Sequence, residues 1–304
     1  MFLILHYASG ERMMLSKTLS DCMKVNNSAF YKLTGRLVKA YGFIKKDMAI
    51  AISYKFQFIF QFSQVFFSVA VIYFIGKMVG QSGKLSLFQS YGADYFSFAL
   101  VGLAVSSYLK AGLVTITNDI RQTMNQGVLE AMCASPMGYK WLLLCTALWP
   151  FIFETIRVTL YFLIGTIIFG MRLHDANWLC AMITLILTIP IFLMLGMTSC
   201  SILVLVKRGD PVNWIFSNVS TLLAGTMFPI AVLPDWLRVI ALCLPLTHSL
   251  EAMRKSLLMG ASLREVYRHL AALLIFMAVL FPITVFVSDI CMKRARRKGA
   301  FSTH

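Results

Sequence analysis

WLCAMITLILTIPIFLMLGMTSCSILVLV, residues 178–206, runs for 29 residues without a single charged side chain. As a helix it would be about 43 Å long, more than the ~30 Å hydrocarbon core of a bilayer. It therefore predicts a membrane-crossing helix that tilts, bends at Pro190 or projects beyond the lipid. Five further segments have the same character: 56–78, 95–117, 142–170 (interrupted by Pro150), 214–229 and 270–292. The expected fold is an all-α polytopic membrane protein with six transmembrane helices.

Composition agrees. The chain has 304 residues, 59% of them hydrophobic and only 13% charged, with a mean hydropathy of +0.75. A soluble domain of this size would need more charge to cover its surface. The net charge of +15 does not point to nucleic acid, because the basic residues cluster beside the apolar runs. Seven cysteines, mostly inside those runs and with no CxxC pair, read as buried thiols rather than a disulfide framework or a metal site.

Flanking charge sets orientation. The N-terminal region, Lys207 and Arg208, and the Lys293, Arg294, Arg296, Arg297, Lys298 cluster all fall on one side of a six-span chain. That side is read as the cytoplasm, with both termini there, in a plasma (inner) membrane. Arg254, Lys255, Arg264 and Arg268 in the link after span five make the asymmetry imperfect. MFLILHYASG lacks a basic region and has an apolar run of about five residues, so no signal peptide is expected; Met13 or Met14 is an alternative start. The expected organisation is a cytoplasmic segment 1–35, an amphipathic interface helix 36–55, a six-span domain 56–292 and a basic tail 293–304. Leu37, Tyr41, Ile44, Met48 and Ile52 form the apolar stripe of the interface helix, which lies along membrane lipid.

Between spans two and three lies QGVLEAMCASP, residues 126–136, too short to cross and too apolar for a solvated loop. Val128, Leu129 and Met132 share a helical face, Glu130 points elsewhere, and Pro136 closes the segment. It is either a short amphipathic helix that receives a push from a soluble partner or a loop resting on headgroups.

Polar residues inside the spans are few. Gln57, Gln61 and Gln64 share one face of span one and either line a pathway or bond neighbouring helices. Glu154 and Arg157, three apart in span three, can pair. Span five is rich in small and polar residues, Asn218 and Thr221 among them, fit for a packing face, a pathway wall or a dimer axis.

The link 228–260 is too apolar for a free loop and too broken by Pro229, Pro234 and Pro245 for one span. Helices at 235–244, capped by Asp235, and about 247–259, capped more weakly by Thr247, are expected. Together they predict a re-entrant or interface-lying hairpin forming an outer gate, with a plain external cap as the alternative.

At these residues the chain resembles the membrane subunit of ABC-2 type transporters, the permease family of drug, nodulation-factor and polysaccharide exporters. Gly127-Val-Leu-Glu130 with Ser135-Pro136 is similar to the family's element after span two, with Val128 where the family often has Thr. Phe228-Pro229, Leu233-Pro234-Asp235-Trp236-Leu237, Leu244-Pro245-Leu246-Thr247 and Glu251-Ala252-Met253-Arg254 resemble its signature between spans five and six, especially the drug- and nodulation-type branch. The resemblance covers about residues 36–298. It implies a dimer with a second copy of the chain and two copies of an ABC ATPase subunit. Gln126, Gly127, Leu129, Glu130, Ser135 and Pro136 would seat in that ATPase as a coupling helix. Phe228, Pro229, Pro234, Asp235, Trp236, Pro245, Glu251 and Arg254 would belong to the outer gate.

The chain itself has no phosphate-cradling GxxxxGK[ST] loop; Gly76-Lys77 and Gly83-Lys84 are followed by Met78 and Leu85. No cofactor is therefore expected in it, ATP and magnesium belonging to the partner. An ion-coupled secondary transporter, the alternative, would show repeated halves with broken helices, and no such repeat is evident. A membrane enzyme has little support: the five histidines are scattered, and no HExxH or GxSxG occurs.

Overall fold

The computed structural model describes residues 38, 40–49, 53, 55–81, 91, 94–127, 139–171, 173, 176–206 and 211–297. Residues 1–49 and 50–304 form separate compact units. In the first, residues 40–49 are helical (α1), with Lys46 ion-paired to Asp47 at 2.9 Å. Tyr41 and Met48 of the expected stripe are exposed and Ile44 is half-buried; Leu37 and Ile52 lie outside the described residues.

In the second unit every described element is helical. The helices are α2 (Lys55–Gln81), α3 (Tyr95–Lys110), α4 (Ile116–Asn125), α5 (Tyr139–Ile167), α6 (Trp178–Val206), α7 (Pro211–Leu223), α8 (Asp235–Leu242), α9 (Pro245–Leu258) and α10 (Leu263–Arg297). A π-helical turn, Ala111–Thr115, joins α3 to α4 without a break, and a 3-10 turn, Ile230–Val232, precedes α8.

Among the described residues, five helices are long and apolar enough to cross a membrane: Ile59–Gly80, Tyr95–Asn125, Trp141–Ile167, Trp178–Val206 and Leu263–Arg294. Their outer faces carry large exposed apolar side chains, such as Phe56, Phe60, Phe67 and Phe74 on α2 and Ile275, Phe281 and Phe286 on α10. On α2 the buried hydrophobic side chains among the described residues are Val65, Val69 and Ile72, at helical spacing. A helix apolar on all sides needs lipid to cover what protein does not. Pro150, expected to interrupt span three, does not end it; Pro150, Pro190 and Pro282 all sit inside continuous helices.

The segment expected to cross at 214–229 differs. Its helix, α7, has 13 residues and a length of about 20 Å, short of the ~30 Å core. It ends because Gly225 adopts φ +79°, open to a residue without Cβ, and Thr226 folds its hydroxyl back onto Thr221 O at 2.7 Å. The 3-10 turn and α8 then follow.

Helix α3 is the centre of the bundle. From Phe96 to Leu109 all but Leu103 are buried, against α2, α5 and α9. Close backbone approaches fix its neighbours. A Cβ on Gly196 of α6 would lie 2.0 Å from Gly112 O in the π turn, and one on Gly112 would lie 2.7 Å from Phe192 O. Such contact leaves room for glycine alone. The most extensive packing joins α6 to α10, where Thr198 meets Thr284 at 3.1 Å and Ser201 meets Ser288 at 2.9 Å. Many of these hydroxyls also bond a carbonyl one turn back, as Thr198 does to Met194 O, so little polarity is left unsatisfied in lipid.

Candidate gating site at one end of the bundle

The expected helices 235–244 and 247–259 form as α8 and α9, in a different way at their starts. Asp235 does not cap α8: Pro234 is the N-cap, no side-chain cap bond forms, and Asp235 sits in the first turn, where its charge suits the helix dipole. Thr247 does not cap α9 either. Leu244 holds that position with Pro245 at the first helical residue, whose missing N–H costs nothing there. The Thr247 hydroxyl instead donates to Ala241 O at 2.6 Å, joining α9 to the end of α8.

Helix α9 is short, compositionally mixed and yet buried among α3, α6 and α10. Its contacts fall on the N-terminal halves of those three helices, so it enters the bundle from that one end. Thr188 of α6 donates to Ser249 at 3.0 Å. Asn177 ties α6 to the far end of α9. Its backbone N–H donates to Ser256 O at 2.8 Å, its side-chain amide donates to Ala261 O at 3.2 Å, and its side-chain oxygen accepts from Cys180 N at 3.2 Å, capping α6. Gly260, at φ +62°, closes α9.

Arg254 lies at the heart of this arrangement, with no exposed surface. Its guanidinium stacks on the Phe98 ring of α3, 3.5 Å from the centroid, and Nη2 donates to Thr226 O at 2.9 Å. Thr226 O also lies where a Cβ on Gly102 would be, 2.0 Å away. The glycine thus lets the end of α7 reach α3, and Arg254 pins it there. Glu251, one turn earlier, is buried, accepts from Tyr91 Oη at 2.8 Å and attracts the guanidinium. Burial and then the Glu251 carboxylate push the Tyr91 phenol well above its ordinary value. Arg254 Nε and Nη1 have no hydrogen-bond partner among the described residues. A desolvated cation over an aromatic face is worth about 2 kcal/mol, which helps hold a charge in so dry a place.

The predicted gate residues do not all gather here. Glu251, Arg254, Pro245 and Pro229 are buried, Phe228 is half-buried, and Pro234, Asp235 and Trp236 are exposed on α8 and its approach. Asn218 is exposed on α7 and Thr221 half-buried, each bonded within its own helix. Gln61 is half-buried and Gln64 exposed on α2, while the Gln57 side chain lies outside the described residues. Glu154 and Arg157 do pair, at 3.1 Å, and Arg157 also donates to Tyr161 Oη at 3.2 Å. Tyr91, Phe98, Gly102 and Thr226 were not singled out for this site by sequence. Their partners lie up to 160 positions away, and no local pattern announces them.

At the opposite end, α4 stops at Gln126 and Gly127, both exposed; Gly127, at φ +69°, accepts the left-handed turn that ends the helix. Leu129, Glu130, Ser135 and Pro136 lie outside the described residues. The continuous run Tyr95–Asn125 spans 31 residues, about 45 Å, and links the two ends.

No curated protein matches the chain. The model of the ABC-2 type transporter family matches residues 47–258, from α1 to the end of α9, so the chain is a multi-pass membrane protein belonging to the ABC-2 type transporter family, the membrane permeases of ABC transporters whose ATPase is a separate protein.

Proposed function

We propose that the chain is the membrane half of an ATP-driven exporter that works as a dimer with two ABC ATPase subunits. It lies in the plasma membrane, with both termini in the cytoplasm. Six crossings are reached when α7 and the turn after it complete the outward passage, with α1 along the lipid surface and α8–α9 as a re-entrant outer gate. Residues 126–136 seat in the ATPase. The observation that supports this reading is the uninterrupted run Tyr95–Asn125: it joins Gly127, where the expected coupling segment would begin, to Phe98 and Gly102 at the Arg254 lock. Movement imposed at one end of a stiff helix must appear at the other.

The cargo is an amphipathic, lipid-like, drug-like or glycan molecule moved outward. Exposed polar residues of α2 and α7, Gln64 and Asn218, are the side chains available to a pathway or a second copy. Glu154 and Arg157 pair with each other, which accounts for the one carboxylate in that span without an ion relay.

The test is purification of the chain from its own membranes with whatever ATPase it retains, followed by reconstitution into vesicles. ATP-dependent efflux is expected from the complex and none from the chain alone. Glu130→Ala is expected to abolish efflux with insertion unchanged. Full transport by the isolated chain, driven by an ion gradient, would overturn the reading in favour of a secondary transporter.

A further inference from the structure

Three basic side chains from the gate hairpin and the last helix form a chain of hydrogen bonds that no part of the exporter reading uses. Lys255 Nζ on α9 lies 3.3 Å from His269 Nε2 on α10. His269 Nδ1 lies 3.4 Å from His248 Nδ1, again on α9. His248 Nε2 lies 2.9 Å from the carbonyl oxygen of Leu242, the last residue of α8. The two imidazoles are half-buried, and His248 also packs on the Phe276 ring.

The ends of this chain dictate its polarity. An ammonium can only donate, so His269 Nε2 must be bare and its proton must sit on Nδ1. That proton goes to His248 Nδ1, which must also be bare, leaving the His248 proton on Nε2 to meet a carbonyl that can only accept. Every donor then faces an acceptor, and both rings are neutral. No other protonation state of the two rings fits beside a charged lysine. A proton added to His269 turns an N–H toward the Lys255 ammonium. A proton added to His248 sets two N–H groups against each other.

We propose that this chain is a proton-operated latch, closed when both histidines are neutral, which fastens the gate hairpin α8–α9 to α10 and releases it on acidification. Among the described residues the surroundings turn no counter-charge toward the rings. On α9 the facing charge is Lys255 itself, the Glu251 carboxylate being engaged by Tyr91 and Arg254. On α10, Arg268 turns to Tyr267 and Glu265 takes the Ser262 hydroxyl. On α8, Asp235 and Arg238 are exposed near its start, and only the Leu242 carbonyl faces the rings. Helices α6 and α7 carry no charged residue. Among the described residues, a cation formed here therefore meets another cation, Lys255.

The sign follows. Latching favours the neutral ring, so closure is complete above the ordinary histidine value of about 6.5 and weakens below it, the open fraction rising about tenfold per pH unit for each proton taken up. That the protons arrive from outside the cell rests on the topology proposed above; the latch chemistry does not.

Hydrogen exchange of the purified full chain between pH 7.5 and 5.0, corrected for the chemical exchange rate, tests this without any transport assay. Failure of the exporter reading therefore leaves the result standing, and the reverse holds too. Amides of residues 242–255 are expected to lose protection by at least tenfold relative to those of α6. In the His248→Gln/His269→Gln double variant, whose side-chain amides still bridge a donor and an acceptor but do not titrate, the response should vanish. Each single variant, checked for an unchanged thermal midpoint at pH 7.5, should lessen it. An unchanged wild-type profile, or an equal acid response in the variants, would overturn the latch. So would protection that responds to added zinc and not to acid, which would assign the ring pair to a metal.

Discussion

Arg254 carries a charge into a place with no exposed surface, and three contacts offset the cost: the Phe98 ring, the Thr226 carbonyl and the nearby Glu251 carboxylate. Arg254→Met keeps length but leaves that carbonyl without its donor. We expect a loss of about 1–3 kcal/mol, read as a lowered thermal midpoint in detergent. Gly102→Ala should do at least as much damage, because its Cβ would fall 2.0 Å from Thr226 O, a backbone atom that cannot step aside. Tyr91 predicts a pH dependence. Its phenol is raised by burial and by Glu251, so the stability it adds is full below about pH 10 and drains away as pH climbs above that value. Tyr91→Phe should remove this alkaline loss, measured as unfolding midpoint between pH 8 and 11, while lowering stability at neutral pH.

Among the elements, the long apolar runs were legible because lipid imposes a length and excludes charge, and both are visible in a string of letters. The helix Trp178–Val206 ends where the charge-free run meets Lys207 and begins two residues after that run does. For the segment 214–229 the apolar character was legible and the helix length was not, for an equally physical reason. Apolar density says that a stretch tolerates hydrocarbon, not that it stays helical, and Gly225 ends the helix well short of the far side. The glycines that set helix spacing were also opaque: nothing near Gly112 or Gly196 in the sequence says they touch. Their contact makes a prediction. Gly196→Ala puts a Cβ 2.0 Å from Gly112 O, so α6 must move off the π turn. We expect a thermal midpoint lowered well beyond that of Ala181→Ser on the same helix.

For the whole molecule, orientation is the testable quantity. Cys243, at the end of α8, is exposed, while Cys145, Cys180, Cys200 and Cys291 are buried. With Cys22 and Cys133 changed to serine, a membrane-impermeant maleimide added to intact cells should label Cys243. Labelling only after lysis would invert the topology. The family was readable from short motifs. The Arg254 lock and the histidine chain were not, because each is assembled from helices that meet only in three dimensions.

The π turn has a consequence for how force would travel. Gly112, wedged against Gly196, lies almost midway between Phe98 and Gly127, about 21 Å from the first and 23 Å from the second along the helix. A beam pivoted at its middle is a see-saw. A shove that drives its lower tip inward swings its upper tip outward by nearly the same distance, so a single fulcrum of two bare backbones would suffice to close one mouth of the passage while opening the other.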